Sequence, residues 1–146
     1  MMWHMLITLT TNILDITDGI ICQQVNCKLV MGAGLAKQIR EKYPVVYNVY
    51  KNRRGPNLGD LLIVPVSKEL SVACLYAQYS YGRYGKFTDY FAFETCLMRL
   101  KESNIHNKQI YFPYKIGCGL GGGDWRIIEK MIKRIIPDSI IVGGNE

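Results

Sequence analysis

The chain has 146 residues, enough for one domain with a single sizeable core. Apolar residues make up 49% of it, which excludes a disordered chain, and no apolar run approaches the roughly 18–20 residues of a membrane span. The net charge of +6 fits either an anionic partner (nucleotide, nucleic acid or phosphorylated metabolite) or a solvated basic surface, and "KNRR" at 51–54 is too short a basic cluster to mark a nucleic-acid binder.

"HMLITLT" (4–10) alternates apolar residues at Met5, Ile7 and Leu9, and no basic region precedes it, so it reads as a first strand and not as a signal peptide. "GIICQQVN" (19–26) is a second, more buried strand. From Gly32 the pattern turns helical, with Leu35, Ala36 and Ile39 apolar against Lys37, Gln38, Arg40 and Glu41. Pro44 stops that helix or starts a new one, and "VVYNVYKN" fits a short second helix. "DLLIVPVS" (60–67) and "SVACLYAQ" (71–78), joined by "KEL", read as a hairpin. A tyrosine- and glycine-rich loop follows, then a helix over 89–103 with Phe93, Cys96, Leu97 and Leu100 on one face. "QIYFPY" (109–114) is a strand. Ile128, Met131, Ile132 and Ile135 stripe a last helix that Pro137 ends, and "SIIVGG" (139–144) is a closing strand. Alternating strands and helices predict a layered α/β domain with a mixed sheet, whose ligands sit where strand ends feed into loops.

The five cysteines (Cys22, Cys27, Cys74, Cys96, Cys118) form no C-x-x-C pair, and histidine is scarce (His4, His106). No metal site and no cofactor are expected, and reduced thiols in the cytoplasm fit best.

Two stretches concentrate glycine at strand-to-helix junctions. "VNCKLVMGAGLAKQI" has Gly32 and Gly34, and "IGCGLGGGDW" has Gly117, Gly119, Gly121, Gly122 and Gly123. Bare backbone at a helix start lets successive N–H groups close on an anion, so each stretch is a candidate phosphate cradle. Neither is a P-loop, because G-x-x-x-x-G-K-[ST] is absent. Either stretch alone is also explained by tight turns.

Taken together, "VNCKLVMGAGLAKQIREKYP" and "IGCGLGGGDW" resemble the macro domain, an ADP-ribose-binding fold. The likeness runs over 1–146 as a single macro domain and leans to the branch of ADP-ribosyl glycohydrolases, ADP-ribose 1″-phosphate phosphatases and antitoxins that remove ADP-ribose from DNA. "YAQYSYGRYGKFTDY" is similar to a stretch of bacterial and phage members, and the compact length fits a stand-alone protein of that origin. The resemblance implies a three-layer α/β fold, a mixed central sheet sandwiched by helices, with ADP-ribose at the strand ends.

Residue by residue, it puts Asn12 and Asp15 at the adenine, Asn26 at the distal ribose, and Gly32, Ala33 and Gly34 in the first phosphate loop. Gly117, Cys118, Gly119, Leu120 and Gly121 fall in the second loop, and Ile13, Met31, Leu35, Gln78 and Ile116 complete the expected ligand contacts. The loop 79–84 either covers the ligand or is ordinary surface packing. Three departures stand out: Thr11-Asn12 where many members carry Gly-Asp, Gln78 where glycohydrolases of the branch carry an attacking lysine, and Gly121 where they carry an aspartate. Glutamine cannot form the adduct an amine forms. Asp124 therefore has two readings, a general base aided by Asn26 or an N-cap of the last helix. Cys118 is likewise a low-pKa nucleophile or a small packed residue.

The activity implied is a hydrolase acting on ADP-ribose derivatives, either an ADP-ribose 1″-phosphate phosphatase or a de-ADP-ribosylase using water. The alternative is a non-catalytic module that reads or sequesters such nucleotides. The partners implied are ADP-ribose or its 1″-phosphate and ADP-ribosylated protein or nucleic acid, with no membrane.

Overall fold

A computed structural model describes residues 7–9 and 11–143. The strands are β1 (Ile7–Leu9), β2 (Gly19–Asn26), β3 (Leu61–Pro65), β4 (Leu70–Gln78), β5 (Ile110–Pro113) and β6 (Ile140–Val142). The helices are α1 (Gly34–Lys42), α2 (Pro44–Lys51), α3 (Tyr90–Ser103) and α4 (Trp125–Ile135). A single 3-10 turn, Ile13–Asp15, was not signalled by the apolar periodicity. For the first expected strand, residues 4–6 and Thr10 lie outside the described residues, as does Gly144 of the last.

The sheet has six strands in the order β1-β6-β5-β2-β4-β3. All neighbours are parallel except β3 and β4, the expected hairpin, whose register pairs Leu61 with Leu75 and Pro65 with Ser71. Period-two geometry sends alternate residues of β2 and β4 to opposite faces. Ile20, Cys22, Ala73 and Leu75 meet the buried stripes of α3 and α4, Phe93, Leu97, Leu100, Ile128 and Ile132 among them. Ile21, Val25, Val72, Cys74 and Tyr76 meet Ile39 of α1 and Val46 and Tyr50 of α2. The result is the expected helix–sheet–helix sandwich. Parallel central strands buried on both faces read as near-continuous apolar runs, which is why β2 and β4 stood out in the sequence.

One irregularity positions the site. The β2–β4 register shifts between Val25 and Asn26, so that Val25 pairs with Tyr76 but Asn26 with Gln78. Such a bulge re-aims side chains at the end of a ladder. Asn26, Gln78 and Pro113, the last residues of β2, β4 and β5, all border the same cleft.

Candidate functional site

That cleft has a volume of about 800 Å³. Its walls bring together the two glycine stretches, Gly32–Ala36 of the first and Ile116, Gly117, Gly119, Leu120 and Gly121 of the second. Among the described residues its charged lining is Arg83 and Lys115, with no carboxylate.

The first wall is the start of α1. Three of the four helices have a device at their N-termini: Asp89 accepts from Ala92 N–H, Asp124 accepts from Arg126 N–H, and α2 begins with Pro44. At α1 the N-cap is Ala33, extended at φ −147°, and no side chain caps the helix. The N–H groups of Gly34, Leu35 and Ala36 have no intrahelical partner at a helix start. All three residues line the cleft, at the positive end of the helix dipole.

The second wall is a coil closed on itself. Gly123 N–H donates to Gly117 O at 2.8 Å, and Gly122 N–H to Gly119 O at 3.0 Å. Phe87 and Thr88 N–H groups both donate to Gly121 O, at 2.8 and 2.9 Å. The N–H groups of Gly119, Leu120 and Gly121 donate to no acceptor among the described residues. Three consecutive unpaired N–H groups on one side of a cleft form an anion-binding concavity.

The glycines of this wall are not equivalent. A Cβ at Gly121 would sit 2.7 Å from both Gly117 O and Thr88 Oγ1, and one at Gly122 2.3 Å from Gly85 O. These two are glycine because the coil leaves no room. A Cβ at Gly119 would meet nothing within 4 Å, so packing does not require glycine there.

A polar network sits beneath the coil. Gln24 Nε2 donates to Gln78 Oε1 and to Thr88 Oγ1, both at 2.8 Å, and Thr88 Oγ1 donates to Gly117 O at 2.7 Å. Gln78 Nε2 donates to Ser80 O at 2.8 Å. The side chain at the expected lysine position is thus tied to the scaffold. Gln24 and Thr88 were not among the residues expected at the site. Two adjacent glutamines in the otherwise apolar "GIICQQVN" were the available signal. Arg83, Lys115 and Tyr114 also line the cleft. Lys115 holds a left-handed φ of +59°, a conformation that costs a non-glycine residue about 1–2 kcal/mol.

Asn26 lines the cleft but is largely occupied. Its Nδ2 donates to Val30 O at 2.8 Å, and its Oδ1 accepts from the N–H groups of Lys28 and Val30 at 3.1 and 3.2 Å. The Tyr50 hydroxyl donates to Asn26 O at 2.7 Å, and burial raises the Tyr50 phenol far above its ordinary value, so it stays protonated. Asn26 therefore shapes the loop into α1 and keeps one amide hydrogen free.

The other expected site residues divide. Ala33, Gly32, Gly34, Leu35, Gln78, Ile116, Gly117, Gly119, Leu120 and Gly121 line the cleft with Asn26. Met31 is buried in the core between β2 and α1, and Ile13 is buried in the same layer. Asn12 caps the 3-10 turn, its Oδ1 accepting from Leu14 N–H at 2.9 Å, and neither Asn12 nor Asp15 lines the cleft. Asp124 does not line it either. Its Oδ1 accepts from Arg126 N–H at 2.9 Å and its Oδ2 pairs with the Arg126 guanidinium at 3.2 Å. Those Arg126 bonds, side chain first and backbone second, hold its carboxyl below the ordinary range. Burial, reinforced by Asp124, pushes the Cys118 thiol up to about 11, and the thiol donates to Ile116 O at 3.4 Å. It is a packed thiol and not a ready thiolate.

No family model matches the chain. A protein of Enterobacteria phage T4 known only as an uncharacterized 17.5 kDa protein of the tk–vs intergenic region is 27% identical over 114 residues, 73% of each chain. A structure of a protein of unknown function from Bacteroides thetaiotaomicron superposes with a TM-score of 0.86 at 22% identity, over 97% of this chain and 98% of that one. The macrodomain of Mycobacterium tuberculosis DarG superposes with a TM-score of 0.79 at 20% identity, over 98% and 100%. Thermosipho africanus DarTG, solved with ADP-ribose, superposes at 0.72 with 19% identity, over 86% of this chain and 37% of that one. The chain has the macrodomain fold, as its glycine stretches led one to expect.

Proposed function

We propose that the cleft binds ADP-ribose or a close derivative, with the diphosphate held between the start of α1 and the coil at 119–121. The observation that carries this reading is the pairing of two unpaired N–H arrays across one cleft. A dianionic group between them gains hydrogen bonds from both walls, a helix dipole, and the two cations Arg83 and Lys115, with no carboxylate among the described lining residues to repel it. The volume is ample for a dinucleotide-sized ligand, within the roughly 300–1,000 Å³ of ligand clefts. The ADP-ribose complex of the Thermosipho africanus relative supports the choice of ligand.

Binding is favoured over hydrolysis. A hydrolase needs a group to attack or to activate water at the distal ribose or terminal phosphate. Gln78 is no nucleophile and is tied to Gln24 and Ser80. The Cys118 thiol is raised, and Asp124 is spent on the cap of α4 and on Arg126. The hydrolase reading, as a 1″-phosphatase or a de-ADP-ribosylase acting on modified protein or nucleic acid, would rest on a water held by backbone groups alone.

Phosphorus NMR with ADP-ribose 1″-phosphate tests both statements. The binding reading expects the two diphosphate resonances to shift on adding protein while the 1″-phosphate stays intact. Release of inorganic phosphate favours the phosphatase instead, and unshifted resonances contradict binding.

A further inference from the structure

The positive charge of this protein is confined to one segment. The chain has 18 Lys and Arg against 12 Asp and Glu, and residues 28–54 contain seven of the former and one of the latter. The rest of the chain carries eleven of each and is neutral. That segment is the loop after β2, α1, α2 and the turn that follows.

Elsewhere, among the described residues, four of the eleven basic side chains pair with carboxylates, Arg99 with Asp60, Lys108 with Asp18, Arg126 with Asp124 and Arg134 with Glu94, and equal numbers of both signs leave that part neutral. Within the segment, among the described residues, Arg53 alone pairs with a carboxylate, Asp60 at 2.8 Å. Lys37, Arg40, Lys42, Lys51 and Arg54 are exposed and have no carboxylate partner among the described residues.

Lys37, Arg40 and Lys51 lie together on one surface. Lys37 and Arg40 share a face of α1 by their three-residue spacing. The Arg40 guanidinium lies 3.8 Å from the Tyr47 ring centroid, and Lys51 Nζ lies 5.3 Å from the same centroid, which joins α1 to α2. None of these cations lines the cleft.

We propose that this α1–α2 face docks the phosphate backbone of a nucleic acid, at a surface separate from the nucleotide cleft. Cations interleaved with a tyrosine ring are what a phosphate backbone with stacking bases uses. An anionic bilayer is the poorer fit, because the exposed apolar residues of α1 and α2 are two valines, Val45 and Val49, and a membrane-lying helix uses Trp, Phe or Leu.

The test is fluorescence anisotropy of a labelled mixed-sequence oligonucleotide, single-stranded and duplex, between about 50 and 200 mM salt. Sequence-independent binding that weakens with salt is expected, undiminished by saturating ADP-ribose. Arg40→Gln/Lys51→Gln/Arg54→Gln should weaken it at least about tenfold and make the salt slope shallower by about 2.7 on the duplex or about 2.1 on the single strand, the share of three phosphate contacts. The same variant should titrate with ADP-ribose as the parent does, which shows it folded. Lys51→Gln alone should reduce the slope by about 0.9 on the duplex or about 0.7 on the single strand. The proposal is overturned if no oligonucleotide binds at the lowest salt, if both variants bind like the parent, or if ADP-ribose displaces the oligonucleotide. Tighter association with phosphatidylserine vesicles than with the oligonucleotide also overturns it.

Discussion

Gly119 and Gly121 stand two residues apart in one coil, yet they are glycine for different reasons. Gly121 faces Gly117 O and Thr88 Oγ1, so Gly121→Ala forces the coil to shift and should cost about 1–3 kcal/mol of stability. Gly119 has open space around its Cβ position and lines the cleft. Gly119→Val should leave the denaturation midpoint near that of the parent while lowering ADP-ribose affinity at least about tenfold, roughly 1.4 kcal/mol. Paired melts and titrations of the two variants check this, and equal stability losses would contradict it. Asp60, just before β3, makes the complementary case. Burial would raise its carboxyl, but the Asn57 N–H and the Arg53 guanidinium outweigh that and hold it below the ordinary range. A carboxyl with a depressed folded pKa stabilises the fold above its unfolded value, about 3.9, and loses that contribution as pH falls through the folded value. Asp60→Asn should therefore cost on the order of 1–3 kcal/mol at neutral pH. The deficit should narrow by about pH 3, as urea melts at the two pH values would report.

At the scale of elements, α1 starts with neither a side-chain cap nor the N-terminal proline that α2 has. Ala33 has the extended backbone of an N-cap but no acceptor. Ala33→Asp should supply one, raising stability by about 0.5–2 kcal/mol. The same carboxylate would occupy the N–H groups proposed to hold the diphosphate and repel it, so affinity should fall as stability rises. Calorimetry and thermal melts of this variant would show opposite signs, and a variant that gains stability and binds as before would show that the start of α1 is not the anion site. All four helices and the interior strands were legible in the sequence, because Pro44, the buried runs of β2 and β4, and the stripes of α3 and α4 are local signals. The Gln24–Gln78–Thr88 network was not, because its members stand 54 and 64 residues apart and meet only through the β2–β4 pairing and the start of α3. The two readings of Asp124 could not be separated from sequence either, since a cap and a general base both call for a carboxylate just before a helix.

For the molecule as a whole, the sheet brings three strand ends to one cleft and the two glycine stretches into its lining. The sequence has these stretches about 85 residues apart, and parallel topology makes them neighbours. Their convergence was expected from the macro-domain likeness and is present in the fold. The adenine end is less defined, since Asn12 and Asp15 do not line the cleft. The surplus charge lies in the α1–α2 segment, and its exposed unpaired cations do not line the cleft. The central claim is that both walls act on one diphosphate. Its most direct test is calorimetric titration of the protein with ADP-ribose, AMP and ribose 5-phosphate. Saturable binding of ADP-ribose, tighter than either fragment by at least about tenfold, is the result predicted. No binding by folded protein, or AMP binding as tightly as ADP-ribose, would contradict it.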